Sequence, residues 1–187
     1  MNKIKPIPAR AQFRGLTMIE LLVALAVLAI LLAIGLPAMQ ETLRSNRVSA
    51  LSNDVLAAAA YARSEAVRRV RDVTACPSPN STAATSSCSG ADWGLGWIVF
   101  VDTNGDGQRQ AAEALVRLAG PADGAEAIGS SAFVLRFDRL GRTRSLAAAT
   151  TIDVRSTPCA AGGPARRLLN VSVIGRVAID PTIRFCP

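Results

Sequence analysis

Three groups of side chains in this sequence have the types and spacing for chemistry. The first is a single carboxylate, Glu20, at the head of the run "FRGLTMIELLVALAVLAILLAIGLPAMQ", residues 13–40. The 19 residues after it, 21–39, carry no charge, so an ionised Glu20 in apolar surroundings calls for a cationic partner. The second is "DTNGDGQRQAAE", residues 102–113, which matches the twelve-position calcium loop D-x-N-x-D-G-x5-E. There Asp102, Asn104 and Asp106 would offer side-chain oxygens, Gln108 a backbone carbonyl and Glu113 a bidentate clamp, with Gly107 making the sharp turn. The flanks read as strands, however, and Asn-Gly and Asp-Gly also close tight hairpins, so a plain hairpin turn is favoured over a calcium site. The third group is arginine. Residues 133–187 hold nine Arg against three acids, whereas residues 16–132 hold eight Arg against 11 acids. Beyond residue 15 every base is Arg, the side chain suited to bidentate phosphate contacts.

What is missing also narrows the chemistry. The chain has no histidine, which excludes Ser-His triads, Cys-His dyads and His-ligated metals. Its Asp and Glu residues form no recognisable acid/base pair. An enzyme is not expected, and neither is a required cofactor.

The 187 residues suffice for one membrane-length segment and one modest globular domain. The uncharged run matches the length of helix that spans a ~30 Å hydrocarbon core. Lys3, Lys5, Arg10 and Arg14 precede it with no acid among them, so the N-terminus is expected to stay cytoplasmic and the remainder to cross. Cys76, Cys88, Cys159 and Cys186 then fall on the outer side, where an even count favours disulfides. Three connectivities are possible. Sequential pairing, Cys76 with Cys88 and Cys159 with Cys186, is favoured, and without histidine or a close Cys-x-x-Cys pair structural zinc is disfavoured.

Gly35 and Pro37 are expected to interrupt the apolar helix, with helix resuming over residues 38–71. Leu51, Val55, Ala58, Ala62, Ala66 and Val70 recur at helical spacing and predict one buried stripe. "CPSPNSTAATSSC" reads as loop. "GLGWIVFV", "EALVRLA", "FVLRFD", "TTIDVRS", "RLLNVSVI" and "RVAID" read as short strands between Gly, Pro and Ser breakers. One long helix followed by five or six strands implies an α+β domain with one or two antiparallel sheets on the helix.

The stretch "RGLTMIELLVALAVLAIL" resembles the leader junction of type IV pilins and type II secretion pseudopilins. "WGLGWIVFVDTNGDG", "FDRLGRT" and "RRLLNVSVIGRVAI" resemble the body of the minor subfamily known as GspH in secretion and FimT or FimU in pili. The resemblance implies a leader over 1–15, a filament-core helix over 16–39, its amphipathic continuation over 40–72 and a periplasmic β domain over 73–187. Prepilin peptidase would cut between Gly15 and Leu16, and Leu16 would be N-methylated. Glu20 would become the fifth residue of the mature chain and meet the N-terminal amine of a neighbouring subunit. The implied partners are other pilins or pseudopilins, the peptidase and the bacterial inner membrane, with later residence in a pilus or pseudopilus. DNA-binding members of the FimT group carry a C-terminal Gly-Arg-x-Arg. Here "GRTR" at 141–144 matches as a string, while "GRVA" at 175–178 matches by context. Arg142, Arg144, Arg176 and Arg184 are therefore the residues a DNA-binding reading would use.

Overall fold

In a computed structural model, the described residues are 17–129, 134–144, 148–159, 161, 166–182 and 185–186. Helix α1 occupies Met18–Arg69, 52 residues. It starts where Thr17 accepts a hydrogen bond on Oγ1 from the Glu20 N–H (3.3 Å), while its carbonyl takes the Leu21 N–H (3.2 Å). That is the N-cap arrangement, which satisfies a donor the first turn would otherwise leave open. The chain falls into two compact units, Met1–Met39 and Gln40–Pro187.

In the first unit the helix is apolar on every side. An 18-residue window reaches a mean hydropathy of 2.9 with none of it buried, long and apolar enough to cross a membrane. The expected interruption at Gly35 and Pro37 does not occur, since Pro37 lies inside the continuous helix. A proline removes one backbone hydrogen bond. In so long a helix the bonds before and after it persist, and apolar helices accommodate such losses.

The second unit holds the rest of α1 and all the strands. Val48, Leu51, Ser52, Val55, Ala58, Ala59, Ala62, Glu65 and Ala66 are buried, one stripe at three- and four-residue steps. Val70, expected in that stripe, is 65% exposed. The helix has already ended: Val70 adopts φ +54°, and the Arg71 N–H turns back to the Ala66 carbonyl (3.3 Å). A helical repeat cannot place a residue whose backbone has left the helix.

Eight strands form among the described residues, all paired antiparallel. They are β1 Val73–Pro77, β2 Trp97–Val101, β3 Leu115–Ala119, β4 Ala125–Gly129, β5 Leu135–Phe137, β6 Thr150–Ser156, β7 Arg166–Val171 and β8 Val177–Ile179. One sheet runs β3-β2-β1-β5 and the other β4-β6-β7-β8. Alternate residues of β1 and β2 face opposite ways. Val73, Ala75, Trp97 and Val99 join the helix stripe, Phe137, Ile152, Val154 and Leu169 in the main core. Ile98, Phe100 and Cys76 form a smaller cluster on the other face. The alanines at 58, 59, 62 and 66 are part of the main core.

Two of the eight strands were not expected. β1 is an inner strand of its sheet, paired with both β2 and β5, yet residues 73–75 fall between the expected helix and loop and Cys76 and Pro77 within that loop. β4 is Ala-Glu-Ala-Ile-Gly, rich in residues poor at forming strands alone, and is held by five register partners on β6. Two disulfides are present, Cys76–Cys88 with Cα atoms 5.5 Å apart and Cys159–Cys186 with Cα atoms 5.6 Å apart. The first anchors residues 78–88 to β1.

Candidate functional site

Glu20 stands in the first turn of α1 with its side chain exposed. A carboxylate there is favoured by the helix dipole, whose positive end lies at this terminus. Thr17 and Glu20 have the T-x-x-E spacing of a capping box, a signal that strand and membrane patterns alone pass over. Gly15 and Leu16 lie outside the described residues. No other carboxylate occurs before Glu41, so Glu20 is the one acid of the apolar half.

The 102–113 segment lies between β2 and β3, and two of its three carboxylates, Asp102 and Glu113, are turned inward. Asp102, 2% exposed, accepts from the Gly105 N–H (2.7 Å), the Gly107 N–H (3.0 Å) and the Thr74 hydroxyl (2.8 Å). Glu113 accepts from the Thr103 N–H (2.7 Å), the Thr103 hydroxyl (3.0 Å) and the Gln110 N–H (3.0 Å). Asp106 is exposed; the Gln108 N–H (2.7 Å) holds its carboxyl below the usual range, aided by the Asn104 and Gln110 amides. β2 and β3 pair antiparallel, so the segment closes a hairpin as favoured, but through a long loop built on its own acids and not a tight turn. Among the described residues no set of three or more Asp, Glu or Cys side chains is grouped to hold a metal ion.

Two of the arginine-bearing turns meet. The first turn follows β5: Asp138 accepts from the Leu140 N–H (2.9 Å) and the Arg142 N–H (3.0 Å). Burial pushes the Asp138 carboxyl up, but those two N–H groups and the Arg142 and Arg144 charges together bring it below its ordinary value. The second turn joins β7 to β8, with the Gly175 N–H bonded to the Ser172 carbonyl (3.0 Å). The Thr143 hydroxyl donates across to the Val173 carbonyl (2.7 Å), and an Arg63 guanidinium N–H reaches the Gly175 carbonyl (3.2 Å). Gly175, at φ +82°, comes so close to Gly141 that a Cβ on it would lie 2.3 Å from the Gly141 carbonyl oxygen. Glycine is the residue that fits both the backbone angle and the approach.

The two Gly-Arg pairs of the sequence, 141–142 and 175–176, are therefore neighbours in space. Arg142 remains near Asp138 (3.7 Å) and Arg144 near Asp72 (3.8 Å). Arg176 is exposed and has no carboxylate partner among the described residues. Arg184 lies outside the described residues. Arg63 and Glu65 were not singled out in the sequence. Glu65, 6% exposed, receives Arg68 (2.7 Å) and Arg69 (2.5 Å), and their hydrogen bonds hold its carboxyl below the usual range. An acid inside an alanine stripe with two Arg three and four residues on was the available signal.

A long N-terminal helix under antiparallel sheets, led by an apolar segment with one acid in its first turn, is the architecture of a pilin. Residues 51–175 match the family model described as type II transport protein GspH, and residues 10–36 match the prokaryotic N-terminal methylation motif. The first match spans about two thirds of the chain, and the chain belongs to the GspH family. No curated protein matches it. Two crystal structures of type IV minor pilin FimU from Pseudomonas aeruginosa (strain PAO1) share the fold. One is 23% identical with a TM-score of 0.56, covering 73% of this chain and 90% of that one. The other is 24% identical with a TM-score of 0.54, covering 71% and 92%.

Proposed function

We propose that this chain is a single-pass inner-membrane prepilin that loses residues 1–15 and enters a type IV pilus or type II secretion pseudopilus as a minor, tip-proximal subunit. It works by assembly, not by catalysis. The observation that carries the reading is Glu20: a lone carboxylate in the capped first turn of an apolar helix, within a match to the N-terminal methylation motif. A charged side chain deep in a bilayer costs about 2.5–3.5 kcal/mol on insertion scales. Removal of the leader creates an amine on Leu16 that a neighbouring subunit's Glu20 can pair with, which offsets that cost in the filament but not in an isolated chain. The periplasmic sheets then present a surface to other subunits or to cargo. Intact mass of the cellular protein and its presence in sheared filaments test this. The expected result is a chain starting at a methylated Leu16, and a Glu20→Ala variant that is processed normally but not incorporated. Residues 1–15 still attached, or normal incorporation without Glu20, refutes it.

A second reading is favoured by the meeting of the two Gly-Arg turns, which brings the pairs Gly141–Arg142 and Gly175–Arg176 together. Such an edge suits DNA phosphates, with little base readout and an affinity that falls steeply with salt. A mobility shift of duplex DNA with the full chain at low and moderate salt decides it, and no shift at low salt removes it.

A further inference from the structure

The second half of α1 buries one stripe and leaves another facing outward, and that outer stripe is not uniformly polar. Leu56, Ala60 and Val67 form the floor of a groove whose opposite wall is the β7–β8 turn at Gly175, Arg176 and Val177. Its volume is about 500 Å³, and its lining includes Arg63, Arg68 and Arg176 but no carboxylate. Val67 is 50% exposed, one of several apolar side chains that this unit leaves in water.

The rim carries excess positive charge. Arg68 and Arg69 share the single carboxylate of Glu65, so one positive charge of the three groups stays uncompensated. Arg63 spends one N–H on the Gly175 carbonyl, a neutral acceptor, and keeps its charge. Arg176 is exposed on the far wall. The wall is also rigid: the Thr143 bond to Val173 and the glycine contact at Gly141 hold the turn in place. An apolar floor between cationic rims selects for a ligand that is apolar in the middle and acidic at the sides. Nucleic acid satisfies the rim but gains nothing from Leu56, Ala60 and Val67.

We propose that this groove docks an acidic, amphipathic segment of another filament subunit, its apolar side chains on the floor and its carboxylates against Arg63, Arg68 and Arg176. The partner's being a filament subunit rests on the function proposed above; the chemistry of the segment does not. The rim charges steer and orient the segment, while the floor supplies the area removed from water.

The test uses the full chain in lipid nanodiscs and a fluorescent helix-forming peptide of about 14 residues, four turns, with Leu on one face and Glu flanking it. Two control peptides replace Glu by Lys or Leu by Ser. The acidic Leu peptide should bind at least about tenfold more tightly than either control, a difference of about 1.4 kcal/mol. Arg176→Glu should weaken the acidic peptide about tenfold and strengthen the Lys peptide, a reversal that general unfolding cannot produce. Ala60→Trp, at an exposed helix position, should abolish binding with an unchanged melting temperature. In cells it should lower incorporation and leave leader removal intact. Equal binding of all three peptides, or affinity indifferent to Arg176→Glu and Ala60→Trp, overturns the proposal. Short duplex DNA binding more tightly than the acidic peptide and lost in Arg176→Glu overturns it too, reassigning the groove to nucleic acid. Peptide binding by a chain that is never processed in cells would instead sink the filament reading and keep the groove.

Discussion

Gly175→Ala should damage the fold far more than a loop glycine ordinarily does, and the structure supplies the comparison that proves why. Gly90 and Gly175 have nearly the same backbone angle, φ +79° and +82°. A Cβ on Gly90 meets nothing within 4 Å, whereas one on Gly175 lies 2.3 Å from the Gly141 carbonyl oxygen and 3.3 Å from a Phe137 ring carbon. Both variants bear the left-handed-backbone cost of about 1–2 kcal/mol. Gly175→Ala adds an overpacking cost of about 1–3 kcal/mol, since the obstacle is backbone and cannot swing aside. The expected losses are then about 1–2 kcal/mol for Gly90→Ala and about 2–5 kcal/mol for Gly175→Ala. For a unit of roughly 150 residues, where 1 kcal/mol moves the melting temperature by about 2–4 °C, the second shift is about 10 °C at mid-range and larger than the first by the overpacking cost. Thermal melts of the full chain in nanodiscs, followed by circular dichroism, read both. Gly141→Ala is an informative third, because its Cβ would meet the Arg63 side chain at 3.0 Å, a flexible obstacle, and should fall between them. Equal shifts for Gly90→Ala and Gly175→Ala would refute the claim that the two turns are locked by backbone contact.

Acid should act partly through Glu65, whose carboxyl is held low by hydrogen bonds from Arg68 and Arg69. A depressed folded value means its stabilisation is present above the ordinary glutamate value of about 4.3 and is lost as pH falls through the lower folded value. Melting temperature should therefore fall more steeply with acid in the wild type than in Glu65→Gln, and parallel curves would contradict this. Replacing Cys76 and Cys88 together by Ser opens a loop of 12 residues, and chain entropy puts the loss at about 3 kcal/mol, read as an earlier thermal midpoint. Asp102→Ala should cost about 3 kcal/mol, as two backbone N–H groups and the Thr74 hydroxyl lose a charged acceptor. Millimolar calcium should leave the wild-type melt unmoved, and a rise of several degrees would show that the loop reopens to bind the ion.

Elements whose local pattern agrees with their final place were legible in the sequence. "TTIDVRS" is β6 residue for residue, and its burial alternates along the strand as a half-buried strand should. "GLGWIVFV" gave β2 because β-branched and aromatic residues crowd there, and both faces of that strand are covered. β1 and β4 were hidden for the opposite reason. Val73–Pro77 follows a strong helix and runs into a proline, and Ala125–Gly129 has weak strand formers, so only pairing with distant neighbours makes either one a strand. Val70 shows the same limit at a boundary, where apolar spacing runs one residue past the helix end at Arg69. For the candidate site, Glu20 was visible as a lone acid in a local pattern. The contact between Gly141 and Gly175, 34 positions apart, was not, because nothing local distinguishes a glycine that touches another backbone from one that faces open solvent.

The arginines show how far a charge count can mislead and where it regains meaning. The excess in residues 133–187 suggests one broad basic face. In the folded unit much of it is engaged singly: Arg155 with Glu126, Arg166 with Asp153 in a two-pronged pair at 2.9 Å, Arg144 with Asp72 and Arg142 with Asp138. Earlier in the chain Arg117 lies over the Tyr61 and Trp97 rings at 5.4 and 5.7 Å, a role of packing and not of display. Charge available to a partner is set by which guanidinium groups lack a carboxylate, and that depends on neighbours the sequence keeps far apart. Arg63, from the helix, was never counted in the C-terminal excess, yet it meets Gly175 and shares a groove with Arg176. The surface fit for recognition is thus assembled across the helix and the β7–β8 turn, which is why disturbing either wall should alter binding while leaving the opposite wall's own fold intact.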